Sequence, residues 1–176
     1  VANLRGAHGE ALGVAMDALR LADRLDSPPG RAYALLEIGR AQVGLESFDE
    51  ARKSLERGVA IAEEIRQSAT LADFRALLAE VARRQGRIDD ALALWELALP
   101  SYTQGDDQPQ LLTVYRSMVP ILRSRGEMDR ALDLALKSLQ VQEQLSGLDM
   151  NRRLAVLEWQ HRSEEAERQI ELLRLD

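Results

Sequence analysis

Hydrophobic and polar positions alternate along this chain with a short period that is typical of helices. In one stretch, apolar side chains recur every three or four residues, at Ala51, Leu55, Val59 and Ala62. This spacing places them on one face of an amphipathic α-helix, whereas a half-buried β-strand would alternate every second residue. Other stretches repeat the pattern, so the sequence predicts an all-α protein.

A longer period organises these helices into units. Four segments align without a gap, and their alanines fall at positions 11, 51, 91 and 131, each 40 positions after the last. Positions 40 residues apart form the columns of this alignment. Small residues stay in some columns and large apolar residues in others, which chance would not produce. Each unit contains two such stretches, which predicts a helical hairpin. A lone hairpin cannot bury both of its faces, so the units are expected to stack into a solenoid.

Turn and cap residues mark where the helices of each unit are expected to meet. Gly86 and Gly126 suit the left-handed backbone that ends a helix, and Asp49, Asp89 and Asp129 suit the start of the next one. Polar or helix-breaking stretches at 27–30, 67–68, 104–107 and 146–147 separate the units. We therefore expect a leading half-unit at 1–27, complete units at about 28–67, 68–107 and 108–147, and a final segment at 149–176.

The column pattern resembles that of the tetratricopeptide repeat family. Its closest instance is Ala91-x3-Trp95-x2-Ala98, which follows the turn motif Gly86-x-Ile88-Asp89. The unit is longer than the family's usual repeat of about 34 residues. The resemblance covers residues 1 to about 148. It implies a right-handed superhelical solenoid of antiparallel helix pairs, with a binding face formed by the first helix of each pair.

The two ends of the chain depart from the repeat. The first unit contains its second helix, from about Gly9 to Leu25, without a first helix to cover it. We expect either that more repeat precedes Val1 or that another molecule covers the exposed face. At the other end, residues 149–176 predict one uninterrupted long helix. Spacings that alternate between three and four residues form a seven-residue pattern, which comprises Val156, Trp159, Ser163, Ala166, Ile170 and Leu173.

This terminal helix, rich in Leu, Glu and Arg, resembles the linker that leaves tetratricopeptide arrays in bacterial diguanylate cyclases and some histidine kinases. The resemblance implies a sensory or interaction module that controls an output domain, with homodimerisation through the terminal helix or the repeat edges. Three alternatives stay open. In the first, the terminal helix only caps the solenoid. In the second, the chain is a free-standing scaffold. In the third, it is the effector-binding module of a transcription regulator.

Composition excludes several classes of function. The 176 residues contain no cysteine and two histidines, which argues against disulfides and against thiolate or histidine-rich metal sites. The formal charge of −6 disfavours nucleic-acid binding, and no apolar run reaches the roughly 18–20 residues that span a bilayer. We expect no membrane contact by this segment and a cytoplasmic location. A periplasmic location stays open if a membrane span follows.

No catalytic motif is recognisable in the sequence. The adjacent carboxylates Asp89–Asp90 and Asp106–Asp107 are explained by a helix start and a solvated loop. There is no phosphate-binding glycine loop and no nucleophile elbow. We therefore expect a chain that is not an enzyme and needs no cofactor or metal.

The candidate binding face carries arginines within an otherwise acidic protein. Guanidinium groups pair well with carboxylates, so the sequence predicts capture of an acidic protein or peptide ligand. The alternative is that acidic side chains on the same face pair with these arginines. Pro120 lies within the helix that carries two of them and is expected to kink it. The predicted face comprises Tyr33, Glu37, Arg40, Asp73, Glu80, Arg83, Arg84, Arg116 and Arg123.

Overall fold

Helices account for all the secondary structure that is described for this protein. The computed structural model describes residues 2–147, with side chains from Arg5 onwards. A seventh helical segment, α7, covers residues 128–147 and follows six earlier helices. Those helices are α1 (Ala2–Arg24), α2 (Pro28–Gly44), α3 (Phe48–Glu64), α4 (Ser68–Arg84), α5 (Ile88–Gln104) and α6 (Gln108–Ser124).

The helices follow one another at a fixed interval. From α2 onwards they begin at residues 28, 48, 68, 88, 108 and 128, and a three-residue connection precedes each start. One residue of every connection has a left-handed backbone. Gly86 and Gly126, both with φ of 78°, confirm the turns that were predicted there. At the equivalent positions the other connections use Asp26, Glu46, Arg66 and Asp106.

Three expected boundaries are wrong. Helix α1 begins at Ala2 rather than near Gly9, because isolated glycines weaken a helix without ending it. The break expected at 27–30 is shorter, since Ser27 caps α2 and the two prolines form its first turn, where a proline's missing N–H is harmless. The break expected at 146–147 is also absent, because both residues are helical. Ser146 lies at the position that has a left-handed backbone in the earlier turns, but in α7 it continues the helix.

Glycine at two column positions lets neighbouring helices pack closely. A Cβ at Gly58 of α3 would lie 2.1 Å from Cζ of Phe74 of α4, and one at Gly39 of α2 would lie 2.3 Å from Cδ2 of Leu55 of α3. Phe74 and Leu55 are fully buried. The large side chain of one helix therefore fills the space left by glycine on the helix before it.

Polar contacts also repeat from unit to unit. Gln85, in the turn after α4, donates to Asp49 Oδ1 of α3 at 3.3 Å. Arg125 makes the equivalent contact with Asp89 in the next unit. Stacking of the units thus has a repeating polar contact on the surface as well as a repeating apolar core.

The first helix has an apolar face that nothing covers in the described part of the molecule. The columns that face a preceding helix in later units are buried or half-buried there, as at Ala51 and Gly58. In α1 the equivalent residues Ala11 and Ala18 are exposed, and the large apolar side chains Val14 and Leu25 of this region are exposed at 70% and 69%. This agrees with the exposed face that was expected for an unpaired second helix.

Candidate functional site

The candidate site is the face formed by α2, α4 and α6, which we call the first-helix face. It is defined by the nine residues predicted above. Helices α2 and α4 lie side by side, and their predicted residues include three carboxylates and three arginines. Tyr33 is the one aromatic side chain of the predicted set, and it is 65% exposed. The face is polar and open rather than an enclosed pocket.

Glu80 binds both arginines that follow it on α4. Its two carboxylate oxygens accept from Nε and Nη2 of Arg83 at 2.7 Å each, and Oε1 also accepts from Nε of Arg84 at 2.8 Å. Burial favours a raised pKa for the Glu80 carboxyl, but these hydrogen bonds outweigh it and the pKa lies below its ordinary value. Most of the arginine charge on α4 is therefore satisfied within the protein.

Asp73 forms the second polar contact of this face, and its partner comes from the next helix. Tyr102 of α5 donates its hydroxyl to Asp73 Oδ1 at 2.9 Å. Burial raises the pKa of Asp73 above its ordinary value, although the hydrogen bond from Tyr102 opposes the shift. Burial and the Asp73 charge together raise the pKa of Tyr102. Tyr102 lies 40 positions after Ala62, in an apolar column of the repeat. The repeat pattern does not show which partner its hydroxyl meets, so this role was not predicted from the sequence.

Arg40 connects the polar groups of α2 and α4. Its Nε lies 3.5 Å from Oε1 of Glu37, and its charge acts on Asp73 to lower the carboxyl pKa. Glu37 and Asp107 act in the opposite direction on the same carboxyl. The α2 and α4 part of the face thus brings Glu37, Arg40 and Asp73 together with no excess of positive charge.

The arginines of α6 are separate from this network. Arg116 donates from Nη2 to Oε1 of Gln142 of α7 at 2.8 Å. This amide oxygen is a neutral acceptor, so the arginine's charge is not neutralised by the contact. Arg116 and Arg123 are both exposed. The arginine cluster predicted as one group is therefore divided between neutralised arginines on α4 and two positions on α6. Helix α6 continues through Pro120 to Ser124 without a break.

Other candidate chemistry is limited in the part of the chain that the structure describes. No group of three or more His, Asp and Glu side chains is arranged to hold a metal ion between residues 2 and 147. None of the helices in this range is long and apolar enough to cross a bilayer. The predicted dimerisation positions of the terminal helix lie outside the described residues, namely Val156, Trp159, Ser163, Ala166, Ile170 and Leu173.

Comparison with known proteins supports the repeat assignment. The family model for the tetratricopeptide repeat matches residues 72–144. Among solved structures, aspartyl phosphate phosphatase F from Bacillus subtilis is similar, with a TM-score of 0.58 at 11% sequence identity. The match covers 81% of this chain and 42% of the phosphatase. At this identity the likeness shows the fold alone. The search of curated proteins found no match.

The family match and the shared fold agree with the helix pairs and columns seen in the structure. Its repeating units are pairs of helices, packed through columns of small and large apolar residues. The chain is therefore an all-α solenoid that contains an array of tetratricopeptide-like repeats.

Proposed function

We propose that this chain is a non-catalytic module that binds an acidic protein or peptide on its first-helix face. The observation that carries the proposal is the division of the arginines. Glu80 neutralises Arg83 and Arg84, whereas the exposed Arg116 of α6 donates to the neutral side-chain amide of Gln142 on α7. A ligand carboxylate gains more at the α6 position, because it does not have to displace a carboxylate of the protein.

Arginine suits this role for a physical reason. Its planar guanidinium offers paired donors that match the two oxygens of a carboxylate, and its charge does not depend on pH in the ordinary range. Arg116 and Arg123 are seven residues apart on one helix, so their side chains lie about two turns or roughly 10 Å apart along its axis. A peptide with several acidic residues can contact both, whereas a single carboxylate cannot.

A titration with simple charged peptides tests this proposal. Fluorescein-labelled hexaglutamate and hexalysine are each titrated with the full chain, and fluorescence anisotropy reports binding. We expect hexaglutamate to bind and its affinity to fall as salt is raised, because the contacts are electrostatic. Equal binding of both peptides, or binding of hexalysine alone to this acidic protein, would contradict a first-helix face built for acidic ligands.

The signalling role is the second part of the proposal, and the resemblance of the terminal helix supports it. Binding on the first-helix face, or dimerisation through Val156, Trp159, Ser163, Ala166, Ile170 and Leu173, would change how two terminal helices pair. That change would set the spacing of attached output domains in a bacterial signalling protein, with a diguanylate cyclase as the favoured output and the cytoplasm as the location.

The neighbouring gene sequence separates this role from its rivals. A diguanylate cyclase or histidine kinase domain encoded beyond Asp176 supports the signalling role. A stop codon near that point overturns it and leaves the free-standing scaffold. A DNA-binding segment encoded before Val1 instead favours the effector-binding module of a transcription regulator.

A further inference from the structure

One column of the repeat changes from apolar to polar along the chain. It lies on the second helix of each unit, and we call it the partner column. In α1 and α3 it contains Ala22 and Ala62, which are buried and have no hydrogen-bonding group in the side chain. In α5 and α7 it contains Tyr102 and Gln142, which carry a hydroxyl and an amide. The position repeats every 40 residues, but its chemistry differs from unit to unit.

Both polar members of the partner column bind a predicted residue of the first-helix face. The hydroxyl of Tyr102 donates to Asp73 on α4 at 2.9 Å. The amide oxygen of Gln142 accepts from Arg116 on α6 at 2.8 Å. In the repeat, Asp73 aligns with Thr113, which lies about one helical turn before Arg116. The two contacts therefore join neighbouring positions of the helix pair in successive units.

The partner of Arg116 differs in charge from the partner of Arg83. On α4, the carboxylate of Glu80 accepts from Nε and Nη2 of Arg83 at 2.7 Å each. The partner of Arg116 is the neutral amide of Gln142. Either partner holds a guanidinium in place, but the carboxylate also cancels its charge. A ligand carboxylate therefore meets an oriented and still positive group at Arg116.

The chemistry of the two side chains determines how the Gln142 amide is oriented. A guanidinium can only donate, and an amide nitrogen does not accept, so Oε1 is the atom that faces Arg116. The two N–H groups of Nε2 then lie beside the guanidinium rather than against it. Arg116 uses one of its five N–H groups in this contact. Since Gln142 and Arg116 are both exposed, a ligand can reach donors of both side chains.

The pair formed by Arg116 and Gln142 lies beside an open groove between α6 and α7. The groove has a volume of about 370 Å³, and the pair lines it together with apolar side chains that include Val119, Pro120 and Leu139. Apolar walls keep part of the water away from a polar pair, which strengthens its contacts with a charged group. A carboxylate bound here gains more than one bound to an isolated surface arginine.

We propose that Gln142 is a specificity-determining residue of the first-helix face. It orients Arg116 through Oε1 and donates from Nε2 to the same ligand carboxylate, so that each side chain binds one of the two carboxylate oxygens. The group recognised is the side-chain carboxylate of an acidic residue in a protein or peptide. This inference rests on the proposed function, because it adds a contact to the same acidic ligand.

Three substitutions in α7 test this role in the hexaglutamate titration. Gln142→Glu keeps the side-chain length but gives Arg116 a carboxylate partner, so we expect the affinity to fall about five- to tenfold. Gln142→Met keeps a similar size and no charge but removes both hydrogen-bonding groups, and a fall of about two- to fivefold is expected. Gln144→Glu is the matched control, because Gln144 is exposed on the same helix, roughly 200° around it from Gln142. This control is expected to change the affinity less than about twofold.

The salt dependence of these affinities separates an electrostatic role from a structural one. Gln142→Glu neutralises Arg116, so the affinity should decrease less steeply with salt than that of the parent. Gln142→Met leaves the charge of the site unchanged, so its affinity should decrease with salt as steeply as the parent's. Thermal unfolding is the control for folding, and the midpoints should match the parent's because residue 142 is exposed.

The outcomes distinguish this inference from the proposed function. If the parent does not bind hexaglutamate, the proposed function is wrong and this inference fails with it. If the parent binds, and Gln142→Glu loses no more affinity than Gln144→Glu, binding of acidic ligands stands and the role of Gln142 is wrong. A Gln142→Met variant that binds as tightly as the parent overturns the donation from Nε2 to the ligand.

Discussion

At the scale of single residues, the contact between Gly58 and Phe74 explains why the small columns stay small. Phe74 is fully buried over the backbone of α3, so a methyl group at residue 58 has no space. The sequence predicted that this column packs closely, because every member of it is small, namely Ala18, Gly58, Ala98 and Ser138. It could not predict Phe74 as the partner, since the partner column contains residues of different size.

We expect Gly58→Ala to destabilise the protein by about 1–3 kcal/mol, because the new Cβ overlaps the ring of Phe74. The equivalent pair one unit later is Ala98 with Val114. The double variant Gly58→Ala/Phe74→Val reproduces that pair and should recover part of the loss. Urea unfolding of the three proteins measures it. If the double variant is less stable than Gly58→Ala alone, the two columns do not pack as equivalents.

The two half-buried carboxyls of the first-helix face predict opposite pH effects. The folded-state pKa of Asp73 is raised, so ionised Asp73 destabilises the fold at neutral pH, and this cost disappears as pH falls below the ordinary value of 3.8. The pKa of Glu80 is lowered, so its ion pairs stabilise the fold above the ordinary value of 4.5, and this gain disappears as pH falls through the folded pKa.

We therefore expect Asp73→Asn to stabilise the protein at pH 7, since asparagine still accepts the Tyr102 hydrogen bond without a charge. Glu80→Gln should destabilise it at pH 7 by about 1 kcal/mol. Both differences from the parent should shrink towards pH 3.5. Urea midpoints at several pH values provide the measurement, and each variant is the control for the other. Two effects of the same sign at pH 7 would refute the assignment.

At the scale of elements, the regular connections set the constant interval between helices. Each contains one left-handed residue, and only two of the six are glycine. The glycine turns were predictable because glycine adopts positive φ without steric cost. Turns through Asp26, Glu46, Arg66 and Asp106 carry no such signal, and their position follows from the repeat alone. Helix α7 lacks this turn at residue 146, which no residue pattern had indicated.

Two glycine substitutions compare a glycine that a turn requires with a glycine that merely lies inside a helix. Gly86→Ala should destabilise the protein by about 1 kcal/mol, because the φ of 78° is unfavourable for an L-residue. Gly13→Ala should stabilise it by up to about 1 kcal/mol, because Gly13 lies inside α1 with open space around it. Thermal unfolding gives both values. Equal and small effects would mean that the turn does not require a left-handed residue.

At the scale of the whole molecule, most of the fold was predictable and most of the site was not. The repeat period determines which columns face which helix, so the helix pairs follow from residues such as Ala51 and Ala91. The first-helix face depends instead on side-chain partners, which have no period. Glu80 binds both arginines of α4, and Tyr102 reaches Asp73 from another helix. Neither contact repeats elsewhere between residues 2 and 147.

The charge division on this face makes the central claim testable by a single comparison. Arg116→Glu/Arg123→Glu reverses both α6 arginines, and Arg52→Glu/Arg57→Glu makes the same change in net charge at two exposed positions of α3. Hexaglutamate anisotropy titrations of both variants and the parent provide the measurement. We predict at least about a tenfold loss of affinity for the α6 variant, since each charge-assisted contact contributes about 1.5–3 kcal/mol, and a much smaller loss for the α3 variant. Equal losses in the two variants would contradict a binding site on the first-helix face.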